Sequence, residues 1–504
     1  MNLATALLAI AATAPAADAP APKAGTSLTV YSSADPGSFD PRQFVQEQRA
    51  SGQDSPWGVP GFGVVKAVRT VAVPKGAGDV AFTDVAAWID PTTVSFVDLQ
   101  DPATTVLEQN FQFDLVSPSK LLERYVGQPI ALTTPMGDSA YRLNGTLLSS
   151  NQGQLVVRSD TGVVRILSAT NAQVELGALP GGLITKPTLV WKLSGNGGEH
   201  LVRTTYQTAG LTWRADYNLV LDATDTGASM NAWVTLLNLS GASYPDTELK
   251  LVAGKVRKIE RVRSAGGSGG AFGAVAAMAD RSAGFEEKEL LDYHLYTLPR
   301  RTDVLQNSTQ QLALFPPVPA FTARKELVLD LSNMGGIPVM PVQDPGYASV
   351  RKGSPQIVVS FENKESNHLG MPLPAGKLRV YKEDPADGTL EFVGEDVIDH
   401  TPRNETVKVT IGDAFDVVGD RTRTDFKVDS KAKRMTETIR VEVRNQKKAA
   451  QHVRLVEHLN RWSTWEITAK SADFTKLEAS TIAFELDIPA EGKQLVEYTV
   501  TYTW

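Results

Sequence analysis

His400 lies in a carboxylate-rich stretch: Glu395, Asp396, Asp399 and Glu405 surround it, and Asp416, Asp420 and Asp425 follow. An imidazole beside carboxylates can work as a general acid/base pair, and clustered carboxylates can hold a hard cation such as Ca²⁺. The same residue types also cap tight turns in β proteins and pair with arginines, here Arg403, Arg421 and Arg423. A hydrolase reading therefore makes a spatial demand. The side chains of Glu395, Asp399, His400 and Asp416 must converge in one cleft, with Arg421 close by.

Aromatic residues carry a second chemistry. Trp191, Tyr206, Trp213, Tyr217 and Trp233 fall on strand-like segments, and Trp213, Asp216 and Tyr217 follow a Gly-Leu turn. Exposed rings of this kind stack on sugars or anchor a protein partner, whereas buried ones fill a sandwich core. Trp213, Asp216 and Tyr217 are thus candidate contact residues.

Other catalytic patterns fail on context. GGSGG at 266–270 fits G-x-S-x-G, yet no strand precedes it and no helix follows. The sequence contains no phosphate-cradling G-x-x-x-x-G-K-[ST], no H-E-x-x-H and no complete EF-hand loop. His452 and His458 share one face of a strand and leave Glu457 on the other, which is poor geometry for a joint metal site. There is no cysteine, so disulfides, thiolate zinc sites and cysteine nucleophiles are excluded. These observations lean away from an enzyme, and no cofactor is expected.

The elements that would position these residues are strands. The 504 residues, 42% hydrophobic and 21% charged, suit several folded domains, and the net charge of −7 argues against a nucleic-acid partner. Leu3–Thr13 is an apolar run of signal-peptide length followed by Ala14-Pro15-Ala16, so residues 1–16 are expected to be a Sec-type signal peptide and 17–25 a Pro/Ala linker. That reading places the mature chain in the periplasm or outside the cell. No other run is long enough for a membrane-spanning helix.

An N-terminal β domain is expected over 26–116, with VVKAVRTVAV, VAFTDV and IDPTTVSFVDL as strands and PKGAGD as a turn. Over 117–178, SPSKLLERYVG has a capping Ser117, a first-turn Pro118 and an exit Gly127. Five short strand runs then follow, the pattern of a small SH3-like barrel. A central β-sandwich is expected over 179–373, interrupted by a Gly/Ala-rich loop at 263–284. The basic residues Lys255, Arg257, Lys258, Arg261 and Arg263 stand at that loop, as an anionic contact or a solvated strand edge. Residues 374–504 read as a C-terminal immunoglobulin-like sandwich with a hairpin at its Asp-Gly turn. The final alternation from Val496 to Trp504 fits its closing strand, or the terminal strand of an outer-membrane barrel.

Several of these segments occur in combination: VVKAVRTVAVPKGAGDVAFTDVAAWIDPTTVSF, LEQNFQFDLVSPSKLLERYVGQ, LPGGLITKPTLVW, YQTAGLTWRADYN, AWVTLLNLSGASYPDTELKLVAGKV, DYHLYTLPR, FVGEDVIDHTPRNE and AFDVVGDRTRTDF. Together they resemble bacterial proteins carrying the DUF4139 domain, and the likeness covers nearly all of the mature chain. The resemblance implies a relation to mucoidy-inhibitor-like proteins, which carry a coiled-coil insertion where this chain has its short helix and candidate barrel. It implies no activity, since the family is defined without one. The expectation is an all-β, multidomain envelope protein that binds another envelope protein or a surface glycan, with a hydrolase or an outer-membrane-associated protein as alternatives.

Overall fold

A computed structural model of the chain describes residues 23–51, 56, 58–112, 117–136, 139–151, 153–177, 184, 186–254, 256, 285–290, 293–332, 335–336, 338–384 and 386–504. The expected signal peptide, linker residues 17–22, the basic cluster from Lys255 to Arg263, GGSGG and the 263–284 stretch lie outside them. The described chain is all-β, with two helices, Pro41–Ser51 and Pro118–Arg124. It folds into two compact units, each assembled from interleaved segments. One contains Val64–Thr208, Ser240–Thr247 and the described residues up to Leu28; the other contains Thr29–Gly63, Ala209–Leu239 and Glu248–Trp504.

In the first unit, the long strand Thr188–Thr208 pairs antiparallel with Thr105–Gln112 along its first half and with Ile89–Asp98 along its second. Trp191 is fully buried there against Phe82 and Phe96, and its indole N–H donates to Gln109 Oε1 at 2.9 Å. The expected turn at PKGAGD is absent. Gly61–Thr83 runs through it as one strand, with Gly76 at φ 81°.

The five expected short strands all form, as Pro129–Met136, Ser139–Asn151, Gln154–Ser159, Val164–Ser168 and Gln173–Glu175. They lie in the order Val164–Ser168, Gln154–Ser159, Ser139–Asn151, Pro129–Met136, Gln173–Glu175. The two edge strands do not pair among the described residues, so the barrel is an open five-stranded sheet. The last strand has three residues and follows the single 3-10 turn Ala169–Asn171, too little chain to close the ring. A core of Leu132, Leu143, Leu147, Leu155 and Val157 covers one face. The short helix forms where Ser117 and Pro118 place it, and Ser117 Oγ accepts the Lys120 N–H at 3.3 Å. Gly145 is required by close approach: a Cβ there would lie 2.4 Å from the Arg158 carbonyl oxygen.

A carboxylate beside the Asp98–Thr105 turn gives this unit a measurable pH response. Burial opposes ionisation of Asp98, whose side chain is 1% exposed. The hydrogen bonds from His200 Nδ1 (2.6 Å), the Gln100 N–H, Thr104 Oγ1 and the Asp101 N–H outweigh it and hold its pKa at about 2. A folded-state pKa below the unfolded value of about 3.9 stabilises fully above pH 4, and the contribution is lost as pH falls from about 4 toward 2. Denaturant titrations at pH 5, 3 and 2 are expected to show this loss for the wild type and a shallower one for Asp98→Asn. Equal slopes would contradict the assignment.

Two sheets lie wholly within the second unit. The ten-stranded sheet has the path Leu390–Ile398, Gly376–Glu383, Leu211–Leu221, Gly227–Asn238, Ser308–Asp330, Gln451–His458, Thr481–Ile488, Thr475–Lys476. The 23-residue strand Ser308–Asp330 is its spine: the first part pairs with Gly227–Asn238, the second with Gln356–Glu362 and, in parallel, with Gln451–His458. Thr406–Asp413 pairs outside Gln356–Glu362. The five-stranded sheet runs Val350–Gly353, Val417–Asp429, Arg434–Asn445, Lys493–Thr503, Trp465–Lys470.

The two sheets pack as a sandwich. Leu329, Val453, Leu455, Ile482 and Phe484 of one meet Ile439, Val441, Val496, Tyr498 and Val500 of the other, each contributing about 1.5–3 kcal/mol by burial. The C-terminal alternation is that of an inner strand. Val496, Tyr498, Val500 and Tyr502 are buried, and Lys493–Thr503 has a partner on both sides.

Two ion pairs cross this sandwich reciprocally. Arg421, on the smaller sheet, donates its Nε–H to Glu457 on the larger at 3.0–3.2 Å, and Tyr498 Oη donates to the same carboxylate at 2.6 Å. Arg461, just beyond Gln451–His458, donates its Nε–H at 2.7 Å to Glu437 on the smaller sheet, which also accepts from Tyr502 Oη at 3.2 Å. The remaining guanidinium donors fasten an irregular segment. Arg461 reaches the carbonyls of Val342, Asp344 and Tyr347, and Arg421 that of Ala348.

Candidate functional site

The spatial demand of the hydrolase reading is not met. Glu395, on Leu390–Ile398, faces Lys377 Nζ at 3.2 Å and Arg379 Nε at 3.3 Å. Asp396 accepts the Val397 and Thr410 N–H groups, both at 2.8 Å. His400 stands in the following turn, where its Nδ1 accepts the Ala375 N–H at 3.0 Å, and the Asp399 carbonyl accepts from Thr401 Oγ1. The turn residues Thr401 and Pro402 lie against Asn363, beside the first residue of Thr406–Asp413. Asp416 lies beyond the last residue of that strand, its carbonyl accepting the Gln446 N–H. Eight extended residues separate the two ends by roughly 25 Å. Arg421 is 4% exposed inside the sandwich.

A hydroxyl–imidazole–carboxylate line exists elsewhere, unmarked by any sequence motif. Thr481 Oγ1 lies 3.2 Å from His458 Nδ1, and His458 Nε2 lies 3.1 Å from Asp330 Oδ2. Thr481 is 5% exposed and pairs with His458 across adjacent strands, so the line fastens the sheet and leaves its hydroxyl out of reach of a substrate. Among the described residues no three His, Asp or Glu side chains are grouped to hold a metal ion.

The aromatic residues divide by sheet face. On Leu211–Leu221, Trp213, Ala215 and Tyr217 point to the inward face and Arg214, Asp216 and Asn218 to the opposite, outward face, because strand side chains alternate; on that face Arg214 and Asp216 are themselves buried and Asn218 is half-buried. Trp213 is 3% exposed and meets the Tyr296 ring edge-on at 6.2 Å. Tyr217 is fully buried and donates to the Pro374 carbonyl at 2.8 Å, and burial pushes its phenol well above the ordinary range. Trp191 and Tyr206 are buried as well. Trp233 differs. It pairs with Asp216 in the antiparallel register, shares its outward face and is 38% exposed.

Around Trp233 this face carries a continuous polar network. Asp216 Oδ2 accepts from Thr235 Oγ1 at 2.7 Å and from Arg214 Nε at 3.2 Å. Arg214 extends to the Phe39 carbonyl (2.8 Å) and to Asp40 Oδ2 (3.3 Å). On the other side Arg379 Nη1 lies 3.5 Å from Asp216 Oδ1, and its Nε reaches Glu395. Asp216 Oδ1 is buried and accepts no hydrogen bond. Asp40 also caps the helix Pro41–Ser51, accepting the Arg42 and Gln43 N–H groups. Burial opposes its ionisation, and those bonds together with Arg214 hold its pKa below the ordinary carboxylate value.

No protein-family model matches the sequence, and no curated protein matches it. What the structure brings together is Asp216 and Glu395, candidates far apart in the chain, through Arg379. What it separates from them is His400, Asp399, Asp416 and Arg421, and it withdraws Trp213 and Tyr217 into the core. The arrangement has no activated nucleophile. What it presents is a partly exposed indole beside a chain of paired polar groups on one sheet face.

Proposed function

We propose that this chain is an exported cell-envelope protein of the DUF4139 kind, a non-enzymatic binding module whose contact surface is the outer sheet face around Trp233. Export and the family rest on the sequence: the apolar run Leu3–Thr13 and the motifs that resemble DUF4139 proteins. One observation carries the binding reading. Of the five candidate aromatic residues, Trp233 alone is exposed, and the groups beside it are held in place by mutual pairing. An aromatic anchor flanked by groups already fixed through ion pairing is the usual construction of a recognition hot spot. The partner is a surface glycan or another envelope protein. The immunoglobulin-like character expected for the C-terminal sandwich belongs to the same proposal, since stacked β-sandwiches present sheet faces of this kind.

The test compares wild type with Trp233→Ala in pull-downs from envelope extracts and on a glycan array. The expected result is a retained partner or glycan whose binding falls at least about tenfold in the variant. Nothing retained in either format, or equal retention by both proteins, would refute the proposal.

A further inference from the structure

Resting on the binding reading, we infer that the ligand of the Trp233 face is an uncharged polysaccharide. The charges of the paired chain beside Trp233 cancel within it. Asp40, Asp216 and Glu395 supply three carboxylates, Arg214, Lys377 and Arg379 supply three cations, and each belongs to the same paired chain. Such a paired chain offers no net charge to an anionic lipid, an acidic polymer or a polycation, and drawing one of its members toward a charged ligand would leave the opposite partner uncompensated beside a buried group.

What the face does offer suits a sugar. The Trp233 ring provides an apolar surface for the C–H side of a pyranose. Its cross-strand partner Asp216 is itself buried and pairs with the partly exposed Arg379, whose Nη1 lies 3.5 Å from Asp216 Oδ1 and whose guanidinium is a donor for ligand hydroxyls. Asn231 on the Trp233 strand and Asn218 on the Asp216 strand, cross-strand partners on this same face, add neutral amides. From the Trp233 strand to the Glu395 strand the face crosses four adjacent strands, about 14 Å at the usual strand spacing, the span of an oligosaccharide.

Affinity electrophoresis in gels containing uncharged polymers (dextran, pullulan, laminarin, galactomannan) or charged ones (alginate, polygalacturonate, chitosan) tests this with the full chain. The expected result is retardation by at least one uncharged polymer, unchanged between about 0.05 and 0.5 M salt, and weakened about tenfold or more by Trp233→Ala. Trp233→Phe, which keeps a stacking ring, is expected to retain part of the retardation and serves as the folded control. Retardation confined to charged polymers, salt-sensitive yet lost in Trp233→Ala, would overturn the inference and leave the Trp233 surface standing. No retardation by any polymer, with a protein partner captured through Trp233, would do the same. Retardation indifferent to Trp233 would overturn both.

Discussion

Glu457→Ala is expected to destabilise the second unit by about 3–5 kcal/mol, because it leaves the Arg421 guanidinium buried and without its counter-charge. Glu457 is fully buried and Arg421 is 4% exposed, so no water replaces the lost carboxylate. Burial opposes the arginine's charge, but Glu457 overrides it and keeps the guanidinium ionised. The same variant also strands Tyr498 Oη, whose 2.6 Å bond ends on Glu457. Replacing both partners, Arg421→Met with Glu457→Leu, is expected to recover most of the loss, since an apolar pair of similar volume escapes the desolvation cost. Urea unfolding of the three proteins checks this. A Glu457→Ala cost below about 1 kcal/mol would show the pair to be solvated rather than buried.

Trp213→Ala and Tyr217→Ala are each expected to cost about 3–5 kcal/mol, the range for large aromatic truncations in a packed core. Trp213 loses its edge contact with Tyr296, and Tyr217 loses both its packing and the bond to the Pro374 carbonyl. Ligand affinity per folded molecule is expected to be unchanged, because both rings lie on the inward face, opposite Asp216 and Trp233. Trp233→Ala is expected to reverse this profile, with little change in stability and a large loss of binding. Denaturant midpoints and binding measured on the same preparations separate the two classes. If Trp213→Ala abolished binding while the fold held, the assignment of faces would be wrong.

Sequence alone carried the strand content well, because alternation is a local property. TETIRVEVRN forms Arg434–Asn445 with Met435, Ile439, Val441 and Val443 buried, and the Asp-Gly hairpin pairs Gly376–Glu383 with Leu390–Ile398. Ser117-Pro118 marked the helix that forms. Asp40-Pro41 carries the same start signal, and Pro41–Ser51 is the helix that the reading of 26–116 as wholly β passed over. The candidate site was only half legible. Which of five aromatic residues is exposed depends on register and on what covers each face, and the link from Asp216 to Glu395 depends on Leu211–Leu221 lying parallel to Gly376–Glu383, a pairing between strands more than 150 residues apart. The crowding around His400 pointed to chemistry that the fold disperses, because carboxylates in turns satisfy backbone N–H groups locally.

The most direct test of the Trp233 surface is ¹⁹F NMR of protein labelled with 5-fluorotryptophan, its eight signals assigned by single Trp→Phe variants. Titration with the polymer or envelope fraction that wild-type protein retains is predicted to shift the Trp233 resonance and to leave those of the buried Trp191 and Trp213 in place. A Trp233 signal that stays fixed while binding saturates would contradict the account.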